Sequence, residues 1–284
     1  MIAAGVVLFN PEINRLERNI EAFISYVDKI YCYDNCSDNI KQIISVLGQY
    51  KKIELIRSNE NKGIAYALNR IMEYAQMEGY QWVLTMDQDS VCGHDMVNEL
   101  ASYVDTENAG IICPFIVERN GTRNIDSNGE KYEHRDFCIT SGALTRVEAW
   151  NKVGGFDEWM FIDIVDFEIC AKMREVGYEI LQVNNANLLQ EVGQLKEIII
   201  GKRHIYVRNH SALRKYYYAR NLIYCNYCHP DTFPFIHMLN LLATTYIKTL
   251  LFEKEKFDKL CKMNRGIKDG RRKIKELKEE RRNI

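Results

Sequence analysis

Hydrophobic and polar positions follow two rhythms in the first half of the chain. Ala3–Phe9 is an unbroken apolar run stopped by Asn10-Pro11, the pattern of a buried strand meeting a turn. Leu16, Ile20, Phe23, Ile24 and Val27 then recur at helical spacing. Lys29–Tyr33 reads as a second strand ending in the turn residues Asp34-Asn35-Cys36-Ser37. A helix is expected over Ile40–Leu47, a third strand over Ile53–Ile56 and a helix over Ile64–Ala75. A fourth strand, Trp82–Met86, is broken by Asp87-Gln88-Asp89-Ser90. Strands separated by helices predict an α/β fold with a mostly parallel sheet. In such sheets the ligand crevice lies beyond the carboxyl ends of the strands. Phe9-Asn10, Asp34-Asn35, Ser58–Gly63 and Asp87–Ser90 are therefore expected along one edge.

From about Ile111 the pattern loosens into shorter strands and a polar loop, Glu118–Asp136. Phe137–Thr140 reads as a short strand leading into Ser141-Gly142, with a helix near Arg146–Lys152 and a turn over Gly154–Glu158. Asp166–Val176 is helical with Gly177 as its cap, and Tyr178–Val183 is another strand. No repeat or low-complexity linker interrupts the chain. The expected organisation is one α/β domain over residues 1–210 and a helical, basic appendage over residues 211–284.

Composition sharpens that division. Of 284 residues, 46% are hydrophobic and 27% charged, an ordinary globular balance. The net charge of −1 excludes nucleic-acid attraction as the main theme. From Glu253 onward, however, 13 Lys/Arg face 7 Asp/Glu, so a basic tail follows an acidic body. The nine cysteines are scattered, several in apolar runs, which fits reduced thiols. With no basic segment before the first strand to make a signal peptide, a cytoplasmic protein is expected. Phe233–Phe252 is the most apolar stretch, but His237, Asn240 and Lys248 interrupt it, and no transmembrane helix is expected. It suits either a membrane-interface helix, with the basic segment facing anionic lipid, or a helix packed on the domain or on a second copy in a homodimer.

Two carboxylates at i and i+2 on a strand-end turn, Asp87 and Asp89, can converge on a hard divalent cation such as Mg²⁺ or Mn²⁺. An acidic loop in solvent has the same spelling. The surrounding blocks change the picture: Val7–Pro11, Asp34–Ser37, Asn59–Ala65 with Ala67-Leu68-Asn69, Leu84–Ser90, Thr140–Ala143, Gly154–Asp157, Phe161–Glu168 and Tyr216–Asn221. Together and in this order they resemble the inverting glycosyltransferases of family 2, specifically the rhamnosyltransferase branch, over roughly the first 225 residues.

That resemblance implies a GT-A fold, Rossmann-like with a central sheet and flanking helices, and a nucleotide-sugar donor. Asp34 matches the acid that accepts a hydrogen bond from the pyrimidine ring, with Phe9 and Asn10 lining the pocket; a helix cap is its alternative reading. Asn61 and Gly63 match the loop the nucleotide approaches, and Asn69 and Gln88 belong to the same donor-side blocks. Asp87 would bind ribose or metal, and Asp89 the metal on the diphosphate. Asp166 aligns with the catalytic base, helix capping being its alternative. Val165 stands where many relatives carry a glutamate, and Asp163 is a partial replacement. Ser141, Gly142 and Trp159 are expected with Asp163 on the acceptor side. Relatives often place a metal-binding histidine where this chain has Gln190, so His210 is the alternative ligand. Arg214, like Arg220, would grip the diphosphate or simply pair with acidic surface.

The implied activity is transfer of L-rhamnose from dTDP-L-rhamnose to a glycan or polyprenyl-linked acceptor. A UDP-hexose or UDP-N-acetylhexosamine donor and a binding module without catalysis remain the rival readings.

Overall fold

The computed structural model describes residues 1–118, 130–190, 196–200, 203–207 and 209–283. Most of the expected polar loop, the Gln190 side chain and residues 191–193 lie outside them. Strand β1 (Ile2–Leu8) is followed by α1 (Ile13–Phe23), β2 (Lys29–Asp34), α2 (Ile40–Leu47), β3 (Ile53–Arg57), α3 (Ile64–Met77) and β4 (Trp82–Asp87). Then come β5 (Val91–Cys92), α4 (Met96–Ala101), β6 (Ala109–Glu118), β7 (Tyr132–Arg135), β8 (Ala143–Arg146), α5 (Val147–Lys152), α6 (Val165–Glu175) and β9 (Glu179–Gln190). The remainder is β10 (Lys196–Ile200), β11 (Arg203–Val207), α7 (Ala212–Cys228), α8 (Phe235–Phe252) and α9 (Lys256–Arg282).

The chain divides into two compact units, Met1–Trp159 with Val165–Glu191, and Met160–Ile164 with Val192–Ile284. The first holds a nine-stranded sheet in the order β3-β2-β1-β4-β8-β6-β9-β5, with β7 also paired to β9. From β3 to β4 all neighbours are parallel. Beyond β4, β8 runs antiparallel to both β4 and β6, and β6 pairs with β9 in parallel. The chain winds outward from β1 to β3 and returns to β4 on the other side of β1. The topological switch therefore lies between the carboxyl ends of β1 and β4.

Packing explains the regular half. Leu16, Ile20 and Phe23 of α1 are fully buried against the sheet, each contributing about 1.5–3 kcal/mol of hydrophobic stabilisation. The buried strands β1 and β4 read as continuous apolar runs because both sheet faces are covered. One expected strand is corrected: residues 137–140 are irregular, and the strand in that region is β7, five residues earlier. Thr140 and Ser141 are instead held by side-chain bonds at the end of β4, which replace a ladder.

The second unit contains the β10–β11 antiparallel pair and helices α7 to α9. Helix α9 lies tightly along α7. A Cβ at Gly266 would come within 2.3 Å of the Tyr216 carbonyl, and one at Gly270 within 2.7 Å of the Arg220 carbonyl. Helix α8 corrects the expectation about membrane-crossing segments. Its 18 residues are long and apolar enough to cross a membrane by length and composition, because Lys248 is its only charged residue.

Candidate active site

The switch between β1 and β4 is built by side chains that tie neighbouring loops together. Phe9 follows β1, and its N–H donates to Gln88 Oε1 at 2.9 Å while Gln88 Nε2 donates back to the Phe9 carbonyl at 3.2 Å. The Gln88 amide is thus a clamp between the two loops, leaving the half-exposed Phe9 ring at the crevice. Asn10 donates its N–H to Ser37 Oγ at 2.9 Å and accepts from the Asp38 N–H at 2.7 Å. Those bonds bring the β1 and β2 loops side by side.

Asp34 ends β2 and is buried, with 1% exposure. Its Oδ1 accepts the Ser37 N–H at 3.1 Å, closing a turn before α2 rather than capping that helix. Asn35 next to it donates to the Gly63 carbonyl at 3.1 Å and accepts the Lys62 N–H at 2.9 Å. Asn61 Oδ1 accepts the Gly63 N–H at 2.9 Å. Gly63, at φ +87°, turns the chain into α3 in a conformation that L side chains rarely adopt. The expected edge of Phe9, Asn10, Asp34, Asn61 and Gly63 is one connected surface.

Asp87 ends β4 half-buried, and Asp89 is exposed two residues on. The Asp87 backbone is fixed from two sides. Its carbonyl accepts from Asn19 Nδ2 at 2.6 Å, and its N–H donates to Ser141 Oγ at 3.2 Å. Ser141 Oγ in turn donates to Ser90 Oγ at 3.0 Å, and all of Asn19, Ser90 and Ser141 are buried. The Gly142 N–H reaches the Thr85 carbonyl at 2.7 Å, and Thr85 Oγ1 donates to the Thr140 carbonyl at 2.6 Å. Thr140 Oγ1 then donates to Asp166 Oδ1 at 3.1 Å, in the first turn of α6. Two consecutive residues, Thr140 and Ser141, therefore link the acidic loop to the Asp166 carboxylate.

Asn69 is placed differently. It is buried on α3, where its Nδ2 donates to the Phe156 carbonyl and Glu158 Oε1, both at 2.9 Å. Its Oδ1 accepts from Trp150 Nε1 at 3.1 Å and the Phe156 N–H at 2.8 Å. The amide holds the 154–158 turn, from which half-buried Trp159 follows with its N–H on Asp157 Oδ1 at 3.0 Å.

The other expected residues belong to the second unit. Asp163, at φ +65°, is bound by both Arg214 Nε, at 3.2 Å, and the Arg214 terminal nitrogen. The two side chains assigned separately to acceptor and diphosphate thus form a bidentate pair with each other. Arg220 is buried and donates to the Met160 carbonyl at 2.9 Å. His210 is half-buried at the approach to α7.

Among the described residues, no group of three or more His, Cys, Asp and Glu side chains gathers to hold a metal. Asp87 and Asp89 offer hard oxygen donors from one short turn, and Mg²⁺ and Mn²⁺ commonly take one or two carboxylates together with substrate phosphate oxygens. The donor set fits such an ion when a diphosphate accompanies it.

Thr140 and Asn35 lie inside the motif blocks without an assigned role, and Asn19 lies outside every block. Asn19 did leave a signal: it falls inside the apolar stripe Leu16–Ile20–Phe23, where an amide needs a partner.

The α/β sheet, with Asp87 and Asp89 at its switch point and a further acid at the start of α6, has the GT-A architecture of glycosyltransferases. The chain belongs to glycosyl transferase family 2, whose model matches residues 5–174. It is 30% identical over 237 residues to the dTDP-rhamnosyl transferase RfbF of Shigella flexneri, covering 78% of each chain. Among solved structures, residues 1–349 of S. aureus TarS superpose with a TM-score of 0.60 at 12% identity, covering 94% of this chain and 80% of that one. The Pyrobaculum calidifontis mannosyltransferase PcManGT, in complex with GDP-Man and Mn²⁺, gives 0.58 at 15% identity, covering 94% and 84%. GalNAc-T7 with UDP, GalNAc and Mn²⁺ gives 0.57 at 13% identity, covering 86% of this chain. This chain spans about half of GalNAc-T7, 54% of its length. At these identities the solved structures establish the shared fold.

Proposed function

We propose that this chain transfers L-rhamnose from dTDP-L-rhamnose to a hydroxyl of a glycan or polyprenyl-linked acceptor, with inversion at the anomeric carbon. The observation that carries the reading is the Thr140-Ser141 bridge. It ties the turn of Asp87 and Asp89 to the carboxylate of Asp166, so a diphosphate-binding group and a separate base are held by one short segment. The likeness to a dTDP-rhamnosyl transferase over most of the chain supports the choice of donor.

The roles are those that the family resemblance implies. Asp34 accepts the pyrimidine ring N–H, and the loop of Asn61 and Gly63 admits the nucleotide to the backbone. Asp87 and Asp89 would hold Mg²⁺ or Mn²⁺, which when bound offsets the negative charge gathering on the departing diphosphate. Asp166 removes the acceptor hydroxyl proton as the new C–O bond forms at the anomeric carbon. The bond to dTDP breaks on the opposite face and its electron pair leaves with the diphosphate. General-base assistance of this kind contributes about 10²–10⁴-fold in rate. One displacement without a protein nucleophile inverts the centre.

The test is a donor screen across dTDP- and UDP-sugars, with Mn²⁺ and a lipid-linked acceptor present, read by nucleotide release and product anomer. Turnover is expected with dTDP-L-rhamnose above all other donors. A preference for a UDP-hexose would overturn the donor, and a retained anomer would overturn the base.

A further inference from the structure

The second unit carries an apolar surface and a cationic one that meet on the same flank. On α8, Met238, Leu242 and Thr249 face inward, while Phe235, Ile236, Leu239, Ile247, Leu250 and Leu251 are exposed to 44–64%. These large side chains recur at helical spacing along the whole helix, and Phe257 at the start of α9 is itself 83% exposed. Such a contiguous patch marks an interaction site rather than scattered surface residues.

Beside it lies a cavity of about 510 Å³ lined by Asn264, Arg265, Lys268, Asp269 and Arg272 of α9. Asp269 pairs with Arg272 at 3.3 Å and lies 3.8 Å from Arg265, so two arginines share one carboxylate. Tyr246 of α8 joins the two surfaces by donating to Asn264 Oδ1 at 2.7 Å. Tyr246 sits one turn before Leu250 and two turns after Leu239, on the edge of the apolar row.

We propose that this flank docks on an anionic phospholipid bilayer, with the α8 row in the acyl boundary and the Arg265–Arg272 cavity on lipid phosphates. Charge selects this occupant. Helix α9 carries 12 Lys/Arg against 5 Asp/Glu, so a second copy meeting the same flank would oppose two strongly cationic helices. A negatively charged membrane surface attracts them. The inward face of α8 and the bond from Lys248 Nζ to the Tyr206 carbonyl, 3.1 Å, hold the helix to its unit. It therefore lies in the interface, about 5–10 Å deep, and does not span. Neither surface contributes a residue to the donor chemistry proposed above.

The experiment is co-sedimentation of the full chain with vesicles of phosphatidylcholine alone or of equimolar phosphatidylcholine and phosphatidylglycerol. Binding is expected to the anionic vesicles and to weaken with added salt. Leu250→Glu with Leu251→Glu, and separately Arg265→Glu with Arg272→Glu, should each lower the bound-to-free ratio about tenfold with unchanged circular dichroism. These positions are exposed, so folding is preserved. Wild type left in the supernatant with anionic vesicles, or binding that neither pair alters, overturns the proposal. A dimer in sedimentation equilibrium that the Leu250/Leu251 variant dissociates would assign the face to a second copy and overturn it as well.

Discussion

The Thr140 hydroxyl donates to Asp166 Oδ1 at 3.1 Å, while the next residue's hydroxyl accepts the Asp87 N–H. Asp166 is therefore oriented from the segment that also supports the acidic turn. A hydrogen bond to a charged group is worth about 1.5–3 kcal/mol, so Thr140→Val is expected to lower kcat about tenfold or more with little change in donor KM. Thr140→Ser should restore most of it. Asp166→Asn should cost about 10²–10⁴-fold in kcat while donor affinity stays near wild type. Steady-state kinetics with varied donor check all three; an Asp166→Asn enzyme turning over normally removes the base from the mechanism.

Asp87 and Asp89 are the only carboxylates in the turn at the end of β4. Asp89→Asn is expected to abolish Mn²⁺-dependent binding of dTDP in calorimetry, because neutralising one of two carboxylates removes half of the protein's charge for the ion. Thermal unfolding should be unchanged, since Asp89 is exposed. Chelation by EDTA should stop turnover and added Mn²⁺ should restore it. Full turnover in EDTA would contradict the metal's part.

Strands β1 to β4 were legible because each is a short apolar run bounded by turn residues, and their order put the polar edge where it lies. Strand β8 was not: Ala143-Leu144-Thr145-Arg146 is four residues long, with a threonine buried at its centre. The motifs located Asp34, Asp87, Asp89 and Asp166 in the chain but said nothing about what holds them. Thr140 and Asp166 are 26 residues apart, and Asp163 and Arg214 are 51 apart. Such partners are set by tertiary packing, to which no local period points. Gln88 and Asn69 were assigned to the donor by block membership; their amides are occupied by Phe9 in one case and by Trp150, Phe156 and Glu158 in the other.

The Asn69 amide offers a stability test. Leucine has a similar volume but no polar atoms, so Asn69→Leu leaves the Trp150 Nε1–H and the Phe156 N–H and carbonyl without their partners. Each buried orphan costs about 1–3 kcal/mol, so a loss of about 3 kcal/mol or more is expected in urea denaturation. Donor binding in the folded protein should change little. A variant as stable as wild type but unable to bind dTDP would return Asn69 to the donor pocket.

Three charges are buried together in the second unit. Glu253 lies between Lys215 Nζ at 2.6 Å and Lys259 Nζ at 3.0 Å, and all three are buried. Burial pushes the Lys215 ammonium below its ordinary 10.5, while Glu253 pulls the other way. Between the folded value and 10.5 the unfolded chain binds more protons at this lysine, so its contribution makes stability rise with pH across that window. Lys215→Met should remove that rise, and near neutral pH it should be neutral or stabilising, because Glu253 keeps Lys259 as a counterion. Glu253→Gln does the opposite, leaving two buried cations together, and should cost about 3–5 kcal/mol. Urea midpoints at neutral and alkaline pH for the wild type and both variants measure the difference. Equal losses in the two variants would mean that the pair, rather than the surplus cation, sets the balance.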